Sequence, residues 1–500
     1  VSQRNMQRDI VEIQNRVAHE GISFLTKSLP RLGKIIDVSL GSGSTFQVQG
    51  FKTPKGSKIP KLFGGLLNVL FDADGKQRVA PALTSEFVSE ETSAQAPACN
   101  SRKQVTKNLP VDSHESTWNP SRETMILALS ALRQLCFLFY KLEIPHTAEQ
   151  EDEVIKTFIQ TDADLPESIE DCGESAEVIL RVARGLIAKT LCNADPMASN
   201  PRHGKGAVAT GESPEQKHRF KRFYRQLNAV FPYEDWFFFN ASHLCDNLRS
   251  YLNAKEEDAG TAKVVLVPKD SRGPRLISCE PLEYQWIQQS LMRTLVSTLE
   301  QHPLTRGHVN FTNQEINRRL ALEGSKRSDT YVTLDMKEAS DRVSTFLVET
   351  LFPQHWSRAL MSARSTRTRL PTGQVVTLKK FAPMGSAVCF PVEAFIFWSL
   401  SVAALHIYAK IPLNKAVTKV YVYGDDIVCD SKHYSIIASV LESFGLLLNG
   451  AKCCVSGFFR ESCGMDAFYG ASVTPVRLRK TFSSIRNGGV LSSYVAFHNA

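Results

Sequence analysis

The sequence reads as an α+β protein in which antiparallel hairpins are set among helices. Three observations carry that reading. Residues 419–430 (KVYVYGDDIVCD) place a β-branched and aromatic run, Val420 to Tyr423, against a second apolar run, Ile427 and Val428, across Gly424-Asp425-Asp426. Gly and Asp supply the backbone angles that a tight hairpin turn needs. Residues 330–334 (TYVTL) form a second strand-like run that ends on Asp335. Between such runs, apolar residues recur at helical spacing in several segments.

The 500 residues are too many for one compact core, so two or more subdomains are expected. Hydrophobic residues make up 43% and charged residues 22%, an ordinary globular composition. The net charge of +8 suits a partner rich in phosphate. Eleven cysteines without a CxxC pair point to free thiols in a reducing compartment, not to disulfides or structural zinc. No signal-like stretch opens the sequence. The longest apolar run, residues 394–405, reads as too short to span a bilayer.

In chain order, residues 1–20 are polar with Ile10, Ile13 and Val17 at helical spacing. Residues 21–40 read as a short helix and loop, and residues 41–60 as a loop or short hairpin. Residues 85–120 lack periodicity and hold Pro97, Pro110 and Pro120, the pattern of a long surface connection. Residues 121–141 predict a helix capped by Ser121, with Glu123 in its first turn. Residues 147–174 are acidic and soluble, and residues 177–192 form an amphipathic helix. A Gly-rich basic loop follows at 200–212. Residues 217–227 (KHRFKRFYRQL) then alternate basic side chains with Phe220, Phe223 and Tyr224. Basic groups hold phosphates and rings stack on bases, but the same spacing suits one face of an amphipathic helix.

Residues 263–281 (KVVLVPKDSRGPRLISCEP) predict a hairpin whose turn carries Lys269, Arg272 and Arg275. Such a hairpin can clamp a triphosphate, because its cations neutralise the charge that moves in phosphoryl transfer. Helices are expected at 282–300 and at 311–324, the second carrying Arg318 and Arg319. Residues 336–352 (MKEASDRVSTFLVETLF) predict a helix bearing Asp341. Met384-Gly385-Ser386 reads as a loop opening a helix with Phe390, Glu393 and Phe397. Gly385 there lets the backbone approach a template or nucleotide. Residues 481–500 start a Gly-Ser loop and then a short apolar helix.

The chemistry centres on carboxylates. Asp425 and Asp426, side by side in a turn, repel each other unless a cation neutralises them. Magnesium, bound by carboxylates and substrate phosphates, is the natural candidate; the competing reading is a solvated turn. A third carboxylate at a strand end, Asp335, favours the metal. Three carboxylates can hold two magnesium ions about 3.5–4 Å apart, the arrangement of nucleotidyl transfer.

The order of basic hairpin, D-x-x-x-A-S-D, M-G with F-x-x-E-x-x-x-F, and Y-G-D-D resembles viral RNA-dependent RNA polymerases. In detail it is similar to the replicase catalytic (beta) subunit of the levivirus-like single-stranded RNA bacteriophages. The stretches that carry the likeness are VPKDSRGPRLISCEP, LDMKEASD, PMGSAVCFPVEAFIF, YVYGDDI and GFFRESCGMDAFYGASVTP, within residues 263–481. A weaker likeness lies in GISFLTKSLPRLGK, and residues 41–200 carry no matching motif.

The resemblance implies a right hand of fingers, palm and thumb, with an antiparallel palm sheet packed on helices and the rest mostly helical. Residues 1–262 would be the N-terminal region and fingers, 263–330 fingers with the triphosphate hairpin, and 331–481 the palm. Residues 482–500 would start a thumb that stops short. Asp335, Asp425 and Asp426 would bind two Mg2+ ions, which Mn2+ can replace. Lys269, Arg272 and Arg275 would meet the triphosphate, Asp341 the ribose, and Gly385 and Ser386 the new base pair. Lys452 is the candidate proton donor to pyrophosphate, and residues 459–464 would brace the primer. The implied activity is RNA-directed RNA synthesis on a phage genome, in the cytoplasm of an infected bacterium. Implied partners are RNA template and product, ribonucleoside triphosphates, elongation factors Tu and Ts and a ribosomal RNA-binding protein, with no membrane.

Some residues depart from the family pattern. The Asp335–Asp341 spacing is one residue longer than in many eukaryotic-virus polymerases, though it suits the phage group. Ser386 stands where a larger amide residue is common, and the tail after Asp426 is shorter than usual. A reverse transcriptase would share the carboxylates, but its turn usually lacks Gly before the Asp pair. A non-catalytic RNA-binding protein with a degenerate palm would not need all three carboxylates intact.

Overall fold

The larger of two cores is built around the helix Cys389–Ile407, which is apolar on every face and almost entirely buried. A helix hydrophobic all round belongs inside a protein or a membrane. The sequence reading of this apolar run, residues 394–405, began it five residues too late and ended it two too early. In the computed structural model, which describes residues 3–81, 119–198, 200–481 and 488–499, the helix has 19 residues. By length and composition alone it is long enough to cross a membrane, yet 83% of its apolar window is buried within the protein. The helices Ala176–Leu191 and Tyr434–Ser443 and the strand Val420–Tyr423 pack around it.

That strand belongs to a three-stranded antiparallel sheet. Asp426–Asp430 is central, Tyr331–Asp335 lies on one side and Val420–Tyr423 on the other. Tyr423 pairs with Asp426, so Gly424 and Asp425 form the two-residue turn that the sequence predicts. Gly424 has φ +61°, and a Cβ there would lie 1.9 Å from the Phe390 ring. Phe390 itself packs edge-on against Tyr423 and Phe311. Gly424→Ala is therefore expected to cost about 1–3 kcal/mol of stability through strain and overpacking. A urea denaturation midpoint equal to that of the parent would contradict this.

The predicted basic hairpin is Thr261–Asp270 with Gly273–Cys279, extended by Arg367–Arg369 and Val375–Thr377 into a four-stranded sheet. A third small sheet holds Phe459–Ser462, Met465–Phe468 and Ala471–Ser472.

The second core joins distant parts of the chain. The helices Leu29–Ser42 and Arg122–Phe137 pack with Phe459, Phe468, Tyr469 and Val473 from the far end. Ser121 caps the second helix as expected, its hydroxyl accepting from the Thr124 N–H. Arg133, 1% exposed, is the keystone. It pairs with Asp37 and, at 2.7 Å, with Asp466, and its Nε donates to the Val473 carbonyl at 3.0 Å. Its guanidinium also lies against the Phe137 and Phe459 rings.

Several local expectations are corrected. Residues 147–174, for which only the acidic composition was read, contain a regular helix, Ala148–Ala163, started by a Thr147–Gln150 capping box. Residues 21–40 are helical nearly throughout: a π turn, Phe24–Ser28, runs into Leu29–Ser42. Residues 217–227 are not one helix; Arg222–Tyr224 is a strand paired in parallel with Lys255–Glu257, followed by a short turn of helix. Residues 336–352 are interrupted at Val343. Residues 379–381 run alongside and take its hydrogen bonds: Phe381 N–H donates to the Val343 carbonyl, and Thr345 N–H to the Lys379 carbonyl. Ser344 then caps a new helix, Thr345–Leu351. The surface connection expected at 85–120 and the loop at 482–487 lie outside the described residues, apart from 119 and 120. The helix Gly488–Asn499 is present at the C-terminal end, with Leu491 and Val495 exposed.

Candidate active site

The sheet brings two of the expected carboxylates into direct opposition. Asp335, last in its strand, pairs in register with Asp426, and Asp425 stands beside them in the turn. Asp335 is 9% exposed and already partnered. Its Oδ1 accepts from the Lys452 ammonium at 2.8 Å and its Oδ2 from the Asn449 amide at 3.0 Å. Asp426 accepts from the Cys463 N–H at 3.0 Å. Cys463 and Gly464, both at positive φ, make the turn between Phe459–Ser462 and Met465–Phe468. The segment expected to brace a primer is thus a hairpin whose tip also fixes a carboxylate.

Burial and mutual repulsion dominate the electrostatics. Burial, then the Asp425 charge, pushes the Asp426 carboxyl up to about 7. Asp425 is open to solvent at the turn but ringed by protein, and desolvation followed by Asp335 raises its carboxyl too. Glu393, on the central helix, is buried near them. Burial and the Asp425 charge hold its carboxyl well above the ordinary range, and the Cys389 thiol donates to it at 3.6 Å. Burial works against the Lys452 ammonium, but the Asp335 carboxylate outweighs it and raises the lysine. Among the described residues no three metal-ligating side chains form a closed cage. That agrees with Asp335 being turned to Lys452 and Asp426 to a backbone N–H.

The basic hairpin separates its three cations. Lys269 and Arg275 are exposed. Lys269 is held below its ordinary value by partial burial and then by Arg275, with Lys452 among the further charges it feels. Arg272 is instead engaged by Asp270 through two hydrogen bonds of 3.0 and 2.7 Å, and it lies over the Tyr140 ring. Burial opposes the Asp270 charge, yet the Arg272 fork and backbone hold this carboxyl at about 2. Lys34 approaches the same ring at 4.5 Å, and desolvation lowers it to about 8.

Asp341 follows Asp335 in the short helix Ala339–Arg342 and is held by the wholly buried Lys380 at 3.4 Å. Burial raises the Asp341 carboxyl against the pull of that lysine. Gly385 has φ +128°, and a Cβ there would stand 2.2 Å from the Ser278 carbonyl oxygen. The close approach this glycine allows is therefore to the basic hairpin, where Ser278 N–H donates to the Met384 carbonyl. Ser386 is buried, and its hydroxyl has no partner among the described residues.

Sequence reasoning missed the groups that hold these side chains: Asn449, Cys463, Lys380 and Asp270. Glu393 was named on the helix that follows the Gly385 loop, but its burial beside the carboxylates was not read. The helix Ala148–Ala163 gave no signal. Its Gln150 donates to the Ser271 and Arg272 carbonyls, and the Phe158 carbonyl accepts from Lys380.

Three carboxylates with the Lys452 ammonium against Asp335, and a basic hairpin whose Lys269 and Arg275 are exposed, are an arrangement that can serve phosphate chemistry on anionic substrates. Family comparison makes the class particular. The family model described as RNA replicase, beta-chain, matches residues 157–487. The chain belongs to the RNA replicase beta-chain family. It is 31% identical over 314 residues to the RNA-directed RNA polymerase subunit beta of Qbeta virus (strain MX1), covering 61% of this chain and 49% of that protein. It is 36% identical over 217 residues to the subunit of the same name in Escherichia virus Qbeta, covering 43% and 35%. Against the RNA-directed RNA polymerase beta chain of Escherichia phage MS2 it is 30% identical over 222 residues, covering 44% and 38%. The chain spans half or less of the length of these relatives.

Proposed function

We propose that this chain is an RNA-directed RNA polymerase that copies a positive-strand RNA phage genome from ribonucleoside triphosphates. The observation that carries the proposal is the register of the central sheet, which sets Asp335 opposite Asp426 with Asp425 in the adjoining turn. Membership of the replicase family supports it. In this reading the sheet and its helices are the palm and residues 263–330 belong to the fingers. The N-terminal region completes the fingers, and the helix Gly488–Asn499 begins the thumb.

The donor set fits magnesium. All three ligands are carboxylates, they are short of neutralising charge, and an open site suits an ion that keeps waters and takes substrate phosphate oxygens. Asp335, Asp425 and Asp426 would hold two ions, with manganese as a substitute. When bound, they lower the pKa of the attacking 3′-hydroxyl and neutralise charge on the phosphates.

The chain's own residues orient and protonate. Lys269 and Arg275 hold the triphosphate, while Arg272 shapes the hairpin through Asp270. Asp341, fixed by Lys380, accepts a hydrogen bond from the ribose. Gly385 and Ser386 border the new base pair, where the unpartnered Ser386 hydroxyl has a bond to offer. Lys452 delivers a proton to the departing pyrophosphate, and its ion pair with Asp335 keeps that proton in place at neutral pH. Lys452→Met is expected to lower kcat by about 100-fold and to alter the nucleotide KM far less. Single-turnover incorporation measures this, and an unchanged kcat removes Lys452 from the chemistry.

The relatives' name, subunit beta, fits work within a complex. Elongation factors Tu and Ts and a ribosomal RNA-binding protein are the proposed companions, in the cytoplasm of the bacterial host. The decisive experiment offers a primed RNA template with ribonucleotides or deoxyribonucleotides, with magnesium or with a chelator. Ribonucleotide incorporation that chelation abolishes is expected. A preference for deoxyribonucleotides, or no incorporation with bacterial lysate present, overturns the reading.

A further inference from the structure

The basic–aromatic segment at 217–227 takes no part in the site described above. Its residues open onto a cavity of about 510 Å3, framed by the strand Arg222–Tyr224 and the helix Ala241–Leu252. That volume lies within the range of small-molecule sites. Phe220, Phe238 and Tyr251 line the cavity, and Arg219 and Lys221 are exposed at its edge. No carboxylate belongs to the lining. Glu212 takes Arg222 at 2.9 Å, and Glu234 takes the Tyr251 hydroxyl from outside the cavity. Arg219 and Lys221 have no ion pair among the described residues. Beside the cavity Phe239 is 81% exposed and lies against His243, another lining residue. None of the lining residues belongs to the carboxylate cluster or the basic hairpin.

We propose that this cavity is a second RNA site, which holds a single-stranded segment of template away from the point of synthesis. A base enters against the rings of Phe238 and Tyr251, and Arg219 and Lys221 hold the phosphates on either side. Every base offers a π face, so ring contact of this kind tolerates any sequence, as a template site requires. A duplex keeps its bases stacked inside and has none to insert, so the strand must be single. The Phe238 and Tyr251 rings meet edge-on at 5.6 Å, and an acidic protein surface would satisfy the two cations without supplying a base to stack on that ring pair. The proposal rests on the polymerase reading only for the choice of RNA over DNA.

The test uses the full chain in chelator, with fluorescein-labelled octauridylate and anisotropy at several salt concentrations. Phe238→Ala is expected to weaken binding by about 10-fold, the loss of one stacked base, and Phe238→Trp to restore it. Arg219→Ala with Lys221→Ala, both on the surface and outside the core, is expected to reduce the logarithmic salt slope by about 1.4. Asp425→Asn should bind octauridylate as the parent does, which separates this cavity from the carboxylates. Parental affinity in both Phe238→Ala and the double variant overturns the proposal. So does binding of an octaglutamate peptide in place of octauridylate, which would assign the cavity to an acidic protein. Should the parent chain bind octauridylate in this way yet incorporate no ribonucleotide with magnesium and bacterial lysate present, the polymerase reading fails while the binding result stands.

Discussion

Replacing Asp425 by Asn is expected to lower RNA synthesis by about 1000-fold or more while leaving the fold intact. The amide keeps the shape of the turn but removes a charge that three carboxylates supply together. In the metal-free protein the same change relieves repulsion, because Asp425 raises the Asp426 carboxyl and is itself raised by Asp335. The melting temperature in chelator should therefore be no lower than that of the parent, and magnesium should stabilise the variant less. Primer extension and thermal melts with and without magnesium measure both effects. Near-parental turnover would remove Asp425 from the chemistry. A large drop in chelator melting temperature would mean that the carboxylate supports the fold instead.

Arg133→Met is expected to cost about 3–5 kcal/mol, the usual penalty for removing one partner from a buried charge cluster. Asp37 and Asp466 would lose the cation between them, and Arg477, 3.7 Å from Asp466, offsets this only in part. Activity should fall with stability, since Arg133 supports the hairpin whose Cys463 N–H holds Asp426. Adding Asp37→Leu and Asp466→Leu should recover most of the lost stability, because apolar replacement of a buried cluster is often near neutral. Urea denaturation of the single and triple variants decides the matter. A single variant as stable as the parent would show that the cluster contributes little.

Neither partner of Arg133 could be named from the sequence, and the contrast with the carboxylates is instructive. Asp335, Asp425 and Asp426 were legible because each sits at a strand end or turn whose local pattern is strong. The basic hairpin was legible for the same reason. What was not legible was set by tertiary contact. Nothing in EQEDEVIKTFIQTDA announces that Gln150 will brace the hairpin turn or that the Asp162 carboxylate will accept the Lys379 and Lys380 N–H groups. The helix expected across 336–352 failed at Val343 because a neighbouring segment, not the local sequence, claimed its hydrogen bonds. Arg272 looked equivalent to Lys269 and Arg275 until Asp270 engaged it. Gly385 was correctly marked as a point of close approach, but the approaching group is the Ser278 carbonyl.

The second core has a consequence for how the protein comes to exist in a cell. Arg133 meets the Val473 carbonyl across 340 positions of chain. At roughly 5–20 residues per second of synthesis, roughly 17–70 s separate the emergence of the two from a ribosome. During that interval the faces of Leu29–Ser42 and Arg122–Phe137 that receive Phe459, Phe468 and Val473 have no occupant. The helices Leu29–Ser42 and Arg122–Phe137 therefore wait, exposing apolar surface, for a hairpin made long after them. The Asp426 carboxylate is thus tied to translation in time: the Cys463 N–H that holds it belongs to a hairpin that docks on helices made long before it.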